Sequence, residues 1–357
     1  MVELFQPVSL AGMTLRNRLM RSATAERRSE ADGTPGPDLA AMMAQLASGG
    51  VGLIVMGHTF VRPDGKASLG MAGLWRDDQI PAFAQVAQAA KTAGAAIAVQ
   101  INHGGRQANP GLTGGELIGP SAVALNADAP APRAVSEVEI EGLIEAYGQA
   151  ARRVREAGFD AVQIHGAHGY LIGQFLSPHA NKREDRWGGP IENRARFLWA
   201  VAARVRAYVG PDYPVLVKLG LADFIPDGLS LEDGLAVVGM LRDMGIDMVE
   251  LSGGAGGGNA RTNISRQDQE AYFLPWARQA RQRTSLPIAL VGGFRSLAVI
   301  QSVLDEGVAD LISMSRPFIR EPDLANKLES GASVKARCIS CSLCNKRSDA
   351  PTRCWVE

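Results

Sequence analysis

The chain has 357 residues, 46% hydrophobic and 21% charged, the make-up of a globular protein with a sizeable core. Lysine plus arginine and aspartate plus glutamate both number 37, so the net charge is zero, which argues against a broad electrostatic footprint for nucleic acid or an anionic membrane. No basic stretch leads into an apolar leader and no apolar run approaches the ~20 residues of a membrane helix, so the expectation is a cytoplasmic protein acting on a small molecule.

In chain order, residues 4–16 read as a short hairpin around Ala11-Gly12. Eight segments with strand character follow: Asn17–Ala23, Val51–Gly57, Ala95–Ile101, Ala161–Ile164, Pro214–Leu219, Asp247–Ser252, Pro287–Gly292 and Ala309–Met314. Most are continuous apolar runs, as parallel strands covered on both faces require. Helical periodicity occupies 78–93, 137–157, 193–208, 231–244, 273–283, 296–306 and 322–330. The helix over 137–157 opens on a capping box from Ser136 to Glu139, and Gly158 is placed to end it. A helix, a glycine, an aspartate and a strand recur at Gly158-Phe-Asp160, Gly245-Ile-Asp247 and Gly307-Val-Ala-Asp310. The fold class is therefore α/β, a (β/α)8 barrel over 1–331 with an N-terminal hairpin and a short cysteine-rich tail over 332–357.

In such barrels the working face lies at the C-terminal strand ends. Those ends carry Thr24-Ala25, Gly57-His58-Thr59, Gln100-Ile-Asn102-His103, His165 and His168, Lys218, Ser252-Gly253-Gly254, Gly292-Gly293 and Ser315-Arg316. Gly292, Gly293 and Arg316, near the starts of the last two helices, form a phosphate cradle. Lys218 ends the run Pro-Val-Leu-Val-Lys, where an unpartnered buried ammonium is costly. It belongs beside an anion or a group that becomes one, such as a reduced isoalloxazine; the alternative pairs it with Asp223 or Asp227. The Gln100 amide suits the alternating C=O and N–H edge of a flavin, and equally that of a nucleobase. His165, His168 and Tyr170 place two imidazoles and a phenol within six residues, able to bind one oxygen and deliver a proton nearby.

Over residues 4–330 the chain resembles the Old Yellow Enzyme family of FMN-dependent NADH:flavin oxidoreductases and ene-reductases. The resemblance is most specific in His165-x-x-His168-Gly-Tyr170, in Gln174-Phe175-Leu-Ser-Pro178, and in Asn181-x-Arg183-x-Asp185-x-Trp187-Gly-Gly189-x-x-Glu192-Asn193-Arg194-x-Arg196-Phe197. It implies that NAD(P)H reduces FMN and that an activated alkene, typically an α,β-unsaturated carbonyl, then receives hydride at Cβ and a proton at Cα. By the same resemblance His165 and His168 bind the substrate oxygen, Tyr170 is the proton donor, Gln100 contacts the flavin pyrimidine edge, and Lys218 stands near its N1 and O2. Gly292, Gly293, Ser315 and Arg316 hold the phosphate, and Ala23, Thr24, Ala25 and Gly57 border the ring. Two positions depart from the pattern: Ala25 replaces a common Thr or Cys near the flavin C4=O, and Ser315 replaces a common glycine. The Asn181–Arg194 run reads as scaffold, its Asp185 and arginines pairing to shape the rim. The loops over 104–136 and 258–272 are expected to set the substrate.

All four cysteines, Cys338, Cys341, Cys344 and Cys354, fall in the last twenty residues. Four thiolates at this spacing suit a structural Zn or a [4Fe-4S] cluster, with unmetallated thiols as the alternative. The tail resembles the iron–sulfur branch of the same family, typified by 2,4-dienoyl-CoA reductase and trimethylamine dehydrogenase, although its second gap is one residue shorter. Beside the ene-reductase two readings stand: an iron–sulfur flavoprotein fed by a separate carrier and acting on an enoyl thioester or amine, and a flavin-binding redox sensor without turnover. A homo-oligomer is compatible with either.

Overall fold

The computed structural model describes residues 2–255, 269–346 and 350–356. Strands β1 (Val8–Leu10) and β2 (Met13–Leu15) form the expected hairpin, narrower than 4–16. Its two-residue loop, Ala11 and Gly12, has φ of 49° and 78°, the doubly positive geometry whose twist suits flanking strands. The barrel strands are β3 (Leu19–Arg21), β4 (Leu53–Phe60) and β5 (Ala96–Asn102), then, after a short pair β6 (Ile118–Gly119) and β7 (Arg133–Ala134), β8 (Ala161–Gly166). They continue as β9 (Val215–Gly220), β10 (Met248–Ser252), β11 (Ile288–Val291) and β12 (Leu311–Met314). The eight close in the order β3-β4-β5-β8-β9-β10-β11-β12, every pair parallel.

The recurring aspartate has a local cause. Asp160, Asp247 and Asp310 each turn a carboxylate oxygen back to an N–H at the start of the neighbouring strand, from Ile97 (2.9 Å), Val215 (2.8 Å) and Ile288 (2.9 Å). Each also meets a cation from a neighbouring helix: Lys91, Arg206 and Arg281. The motif thus satisfies donors that the ladder leaves open at the barrel's N-terminal mouth.

Inside the barrel, side chains alternate inward. The lower layer is Met20, Leu53, Val55, Ala98, Ala161, Leu216, Met248, Ala289 and Leu311, closed from below by Met13 and Leu15 of the hairpin. Helices cover the outside. The capping box at Ser136 and Glu139 is present, and Ile140, Leu143, Ile144, Tyr147, Ala151 and Val154 bury the expected face of Glu137–Glu156. Two elements differ from expectation. A helix over Pro37–Ser48, not read from the sequence, covers β3 and β4 with Leu39, Met43, Leu46 and Ala47. The second barrel strand, expected to stop at Gly57, runs to Phe60, and its register with β5 shifts between Met56 and Thr59, placing Gly57 and His58 in an irregularity that re-aims them. Much of the 258–272 loop lies outside the described residues, from 256 to 268.

Candidate active site

Above the apolar layer the same strands turn polar two residues later. Gln100 pairs in register with Gln163, His165 with Lys218, and Lys218 with Glu250, all pointing where Ala98, Ala161, Leu216 and Met248 point one step below. This layer is sealed: Gln163 and Glu250 are wholly buried and Lys218 is 3% exposed. Lys218 donates to Glu250 Oε1 (2.9 Å) and to Ser22 Oγ (2.7 Å), not to Asp223 or Asp227. Asp223 instead accepts from the backbone N–H of Leu229.

Four rings stand over this floor. His165 lies 5.2 Å from His168 and 5.1 Å from Tyr170, centroid to centroid; His58 lies 5.1 Å from Tyr170 and 6.5 Å from His165. The turn that carries His168 and Tyr170 is forced: His168 and Gly169 both have positive φ, 60° and 68°, and a Cβ on Gly169 would sit 1.8 Å from Ala255 O. Gln174 pins that turn by donating to Gly169 O (2.7 Å) and Gly104 O (3.1 Å) while accepting from Arg106 N–H (3.1 Å). His168 Nε2 meets Ser252 Oγ at 2.8 Å, and His165 Nδ1 is buried without a hydrogen-bond partner among the described residues. Burial, then the charge of Arg27, lowers His58 to about 4; burial, then Lys218, lowers His168 to about 3. Burial likewise drives His165 well below its usual value and raises the Tyr170 phenol to about 12. The imidazoles are therefore neutral and the phenol protonated at neutral pH, the forms needed to donate rather than to sequester protons.

A cleft of about 730 Å³, open to solvent, runs from His168 along the last two strands; His58, His165 and Tyr170 stand beside it and do not line it. It is lined by Ala23, His168, Lys218, Gly293, Ser315 and Arg316 from the sequence reading, with Ser22, Ser252 and Arg295 added. Thr24 reaches its edge through a 2.7 Å hydrogen bond to Ser315 Oγ. Gly292 and Gly293 take φ of 153° and 77°, conformations open to glycine. Gln100 lies deeper, donating to Gln163 Oε1 at 2.7 Å. Ala25 and Gly57 do not line the cleft. The Ala25 carbonyl accepts from Thr352 Oγ1 (2.5 Å) in the tail, and Gly57 donates to Glu26 (2.9 Å), whose carboxylate pairs with buried Arg21 (2.6 Å).

Arg295 was not singled out in the sequence. It is 1% exposed, its Nε and Nη2 lack hydrogen-bond partners among the described residues, and Glu270 Oε1 stands 3.9 Å from Nε. A buried guanidinium with open donors beside Gly293 and Arg316 fits an anionic group of a ligand. The signal was visible as an arginine two residues after the glycine pair.

The scaffold reading of 181–194 agrees with the contacts: Asn181 donates to Phe175 O and Trp187 O, Arg183 pairs with Asp185, and Arg194 reaches Asp233 at 2.7 Å. The four cysteines line one small cavity with Arg316, Arg320 and Trp355, and all are free thiols. Burial raises Cys338 and Cys344. Among the described residues no three ligand-type side chains gather closely enough to hold a metal. Nor is any helix among them long and apolar enough to cross a membrane.

A model of the NADH:flavin oxidoreductase / NADH oxidase family matches residues 3–335. An NADPH dehydrogenase from Geobacillus thermodenitrificans is 36% identical over 93% of this chain and 96% of its own length. An NADH oxidase from Thermoanaerobacter brockii is 32% identical over 95% of this chain, which spans 53% of that protein. Among solved structures, an old yellow enzyme homologue from Zymomonas mobilis superposes with a TM-score of 0.82 at 31% identity, covering 95% of this chain and 96% of the other. A 2-naphthoyl-CoA reductase superposes at 0.88 with 28% identity, covering 96% of this chain and 54% of its own. The chain thus spans nearly all of some relatives and about half of others.

Proposed function

Because the chain belongs to the NADH:flavin oxidoreductase / NADH oxidase family and so is an FMN-dependent NAD(P)H oxidoreductase, we propose that it reduces the carbon–carbon double bond of an α,β-unsaturated carbonyl compound. The observation that carries this reading is the ring cluster: the neutral His165 imidazole stands about 5 Å from both the neutral His168 imidazole and the protonated Tyr170 phenol, above a buried cation and beside a cleft rich in anion-binding groups.

The residues present fit FMN. Arg295, Arg316, Ser315 and Gly293 would hold its phosphate, and Lys218 and Gln100 would face its ring system. Bound there, FMN would supply the hydride-carrying chemistry between NAD(P)H and the substrate. The protein does the rest. His165 and His168 donate to the substrate carbonyl oxygen, where negative charge grows as the double bond is reduced, so their hydrogen bonds are worth more in the transition state than in the ground state. Tyr170 holds its proton, with a phenol raised to about 12, until a carbanion-like Cα needs it. The sealed floor keeps water from competing with these donors.

A second reading concerns the tail: its four thiols line one cavity without gathering closely enough to hold a metal as they stand, so a Zn or iron–sulfur site there requires them to draw together, and elemental analysis of the purified protein decides it. For the main reading, the expected outcome is a yellow protein with bound FMN, bleached by NAD(P)H without oxygen and re-oxidised by 2-cyclohexenone. A colourless protein that cannot be loaded with FMN overturns it.

A further inference from the structure

The polar floor is built around one carboxylate that the sequence does not advertise. Glu250 lies mid-strand in β10 and is wholly buried. Its Oε1 accepts from Ser22 Oγ (2.7 Å), Ser313 Oγ (2.8 Å) and Lys218 Nζ (2.9 Å). Its Oε2 accepts from Gln163 Nε2 (3.0 Å), and Gln163 Oε1 in turn accepts from Gln100 Nε2 (2.7 Å). One carboxylate therefore touches Lys218 directly and Gln100 through a single amide, and these are the two residues expected to face the flavin ring.

A buried carboxylate stays ionised only when paired and fully hydrogen-bonded, and Glu250 is both. Burial pushes its carboxyl up, but the charge of Lys218 and the hydrogen bonds from Lys218, Ser22 and Ser313 outweigh that and leave it below the ordinary glutamate range. The Lys218–Glu250 pair is thus formally neutral, although Lys218 alone would present a full positive charge to the cleft.

We propose that Glu250 is a positioning residue for the reaction: it cancels the charge of Lys218 under the cofactor and sets the direction of the Gln163–Gln100 amide chain. The proposal rests on the flavin reading of the cleft. Reduction adds negative charge to the bound cofactor. A bare cation below would stabilise that charge and hold the cofactor reduced, whereas a neutral pair does so less and keeps hydride transferable to substrate. The amide chain follows from donor chemistry. A carboxylate only accepts, so Gln163 must turn its NH₂ toward Glu250 and its carbonyl toward Gln100, which commits one N–H of Gln100 and leaves its carbonyl for the ligand. A competing account makes Glu250 a staple between β9 and β10. Those strands are already joined by a five-pair parallel ladder, and a staple would not tune a potential.

The test is the midpoint potential of protein-bound FMN in wild type, Glu250→Gln, Lys218→Met and the double variant. Glu250→Gln is expected to shift the reduction equilibrium at least tenfold toward the reduced form, about 30 mV for a two-electron couple. Lys218→Met shifts it the other way, and the double variant returns to within about threefold of wild type by this charge argument. A yellow Glu250→Gln protein with an unchanged potential, or single variants shifted in the same direction, overturns the proposal while leaving the oxidoreductase reading intact. A colourless wild type overturns both. Should Glu250→Gln fail to fold, the double variant carries the test, since it leaves no lone buried charge: its potential must lie at least about 30 mV above that of Lys218→Met, tenfold in the reduction equilibrium, and equality overturns the proposal.

Discussion

The barrel interior has two halves that share strands and differ in everything else. Below, Met20, Leu53, Val55, Leu216, Met248 and Leu311 pack against Met13 and Leu15 of the hairpin with no polar side chain among them. Above, the next inward positions on those strands are Ser22, Lys218, Glu250 and Ser313, joined by hydrogen bonds of 2.7–2.9 Å. Stability and chemistry are thus separated along the strand axis. The lower half gains from apolar burial, which is non-directional and tolerates small shifts. The upper half contains buried polar groups that are stable only while every partner is in place.

The sharpest way to test the separation is Tyr170→Phe. Removing one hydroxyl above the floor should slow alkene reduction about 100- to 10,000-fold while leaving flavin reduction by NAD(P)H and thermal stability nearly unchanged. Rapid-mixing measurement of the two half-reactions checks this, and equal loss in both removes Tyr170 from the proton-donor role. The converse change is Leu216→Ala, which opens a cavity in the lower half and should cost about 2–5 kcal/mol of unfolding free energy. Its FMN affinity, measured well below the melting temperature, should match wild type; a parallel fall in affinity would show that the halves are not separable.

A third test is set by pH. His58 and His168 are lowered to about 4 and about 3, while the unfolded chain takes up protons near 6.5. The folded state therefore binds fewer protons than the unfolded state between those values. Stability is present in full above about pH 6.5 and is lost as pH falls toward 4, by at most ~1.4 kcal/mol per pH unit for each histidine. Melting curves of wild type and His58→Asn across pH 4–7 should differ in slope by up to one proton; identical slopes would mean that His58 titrates normally.

Much of this was legible without coordinates, for reasons that individual residues make plain. The strands appear as apolar runs because both faces are covered, and the helix over Glu137–Glu156 declares itself through its Ser136–Glu139 box. His165, His168 and Tyr170 stand out because they fall within six residues at one strand end. The helix over Pro37–Ser48 lies outside the periodic stretches expected from the sequence, yet Pro37 at its start and Gly49 after its end are ordinary boundary signals, and Leu39, Met43 and Leu46 keep helical spacing. His58 was noticed at a strand end but given no role, since only the register shift beside Gly57 turns it toward Tyr170.

The linear chain by itself determined the eightfold alternation, the end of the barrel that carries polar residues, and the three-residue set at the end of β8, because each depends on periodicity or on neighbours a few positions apart. Only the tertiary structure decided that Lys218 pairs with Glu250 rather than Asp223, that Gln100 is reached from Glu250 through Gln163, and that Arg295 faces the cleft with open donors. Those partners are set by which strand lies beside which and by the parity of inward-facing positions. Lys218 and Glu250 are thirty-two residues apart along the chain, yet the parallel register of β9 and β10 makes them direct neighbours.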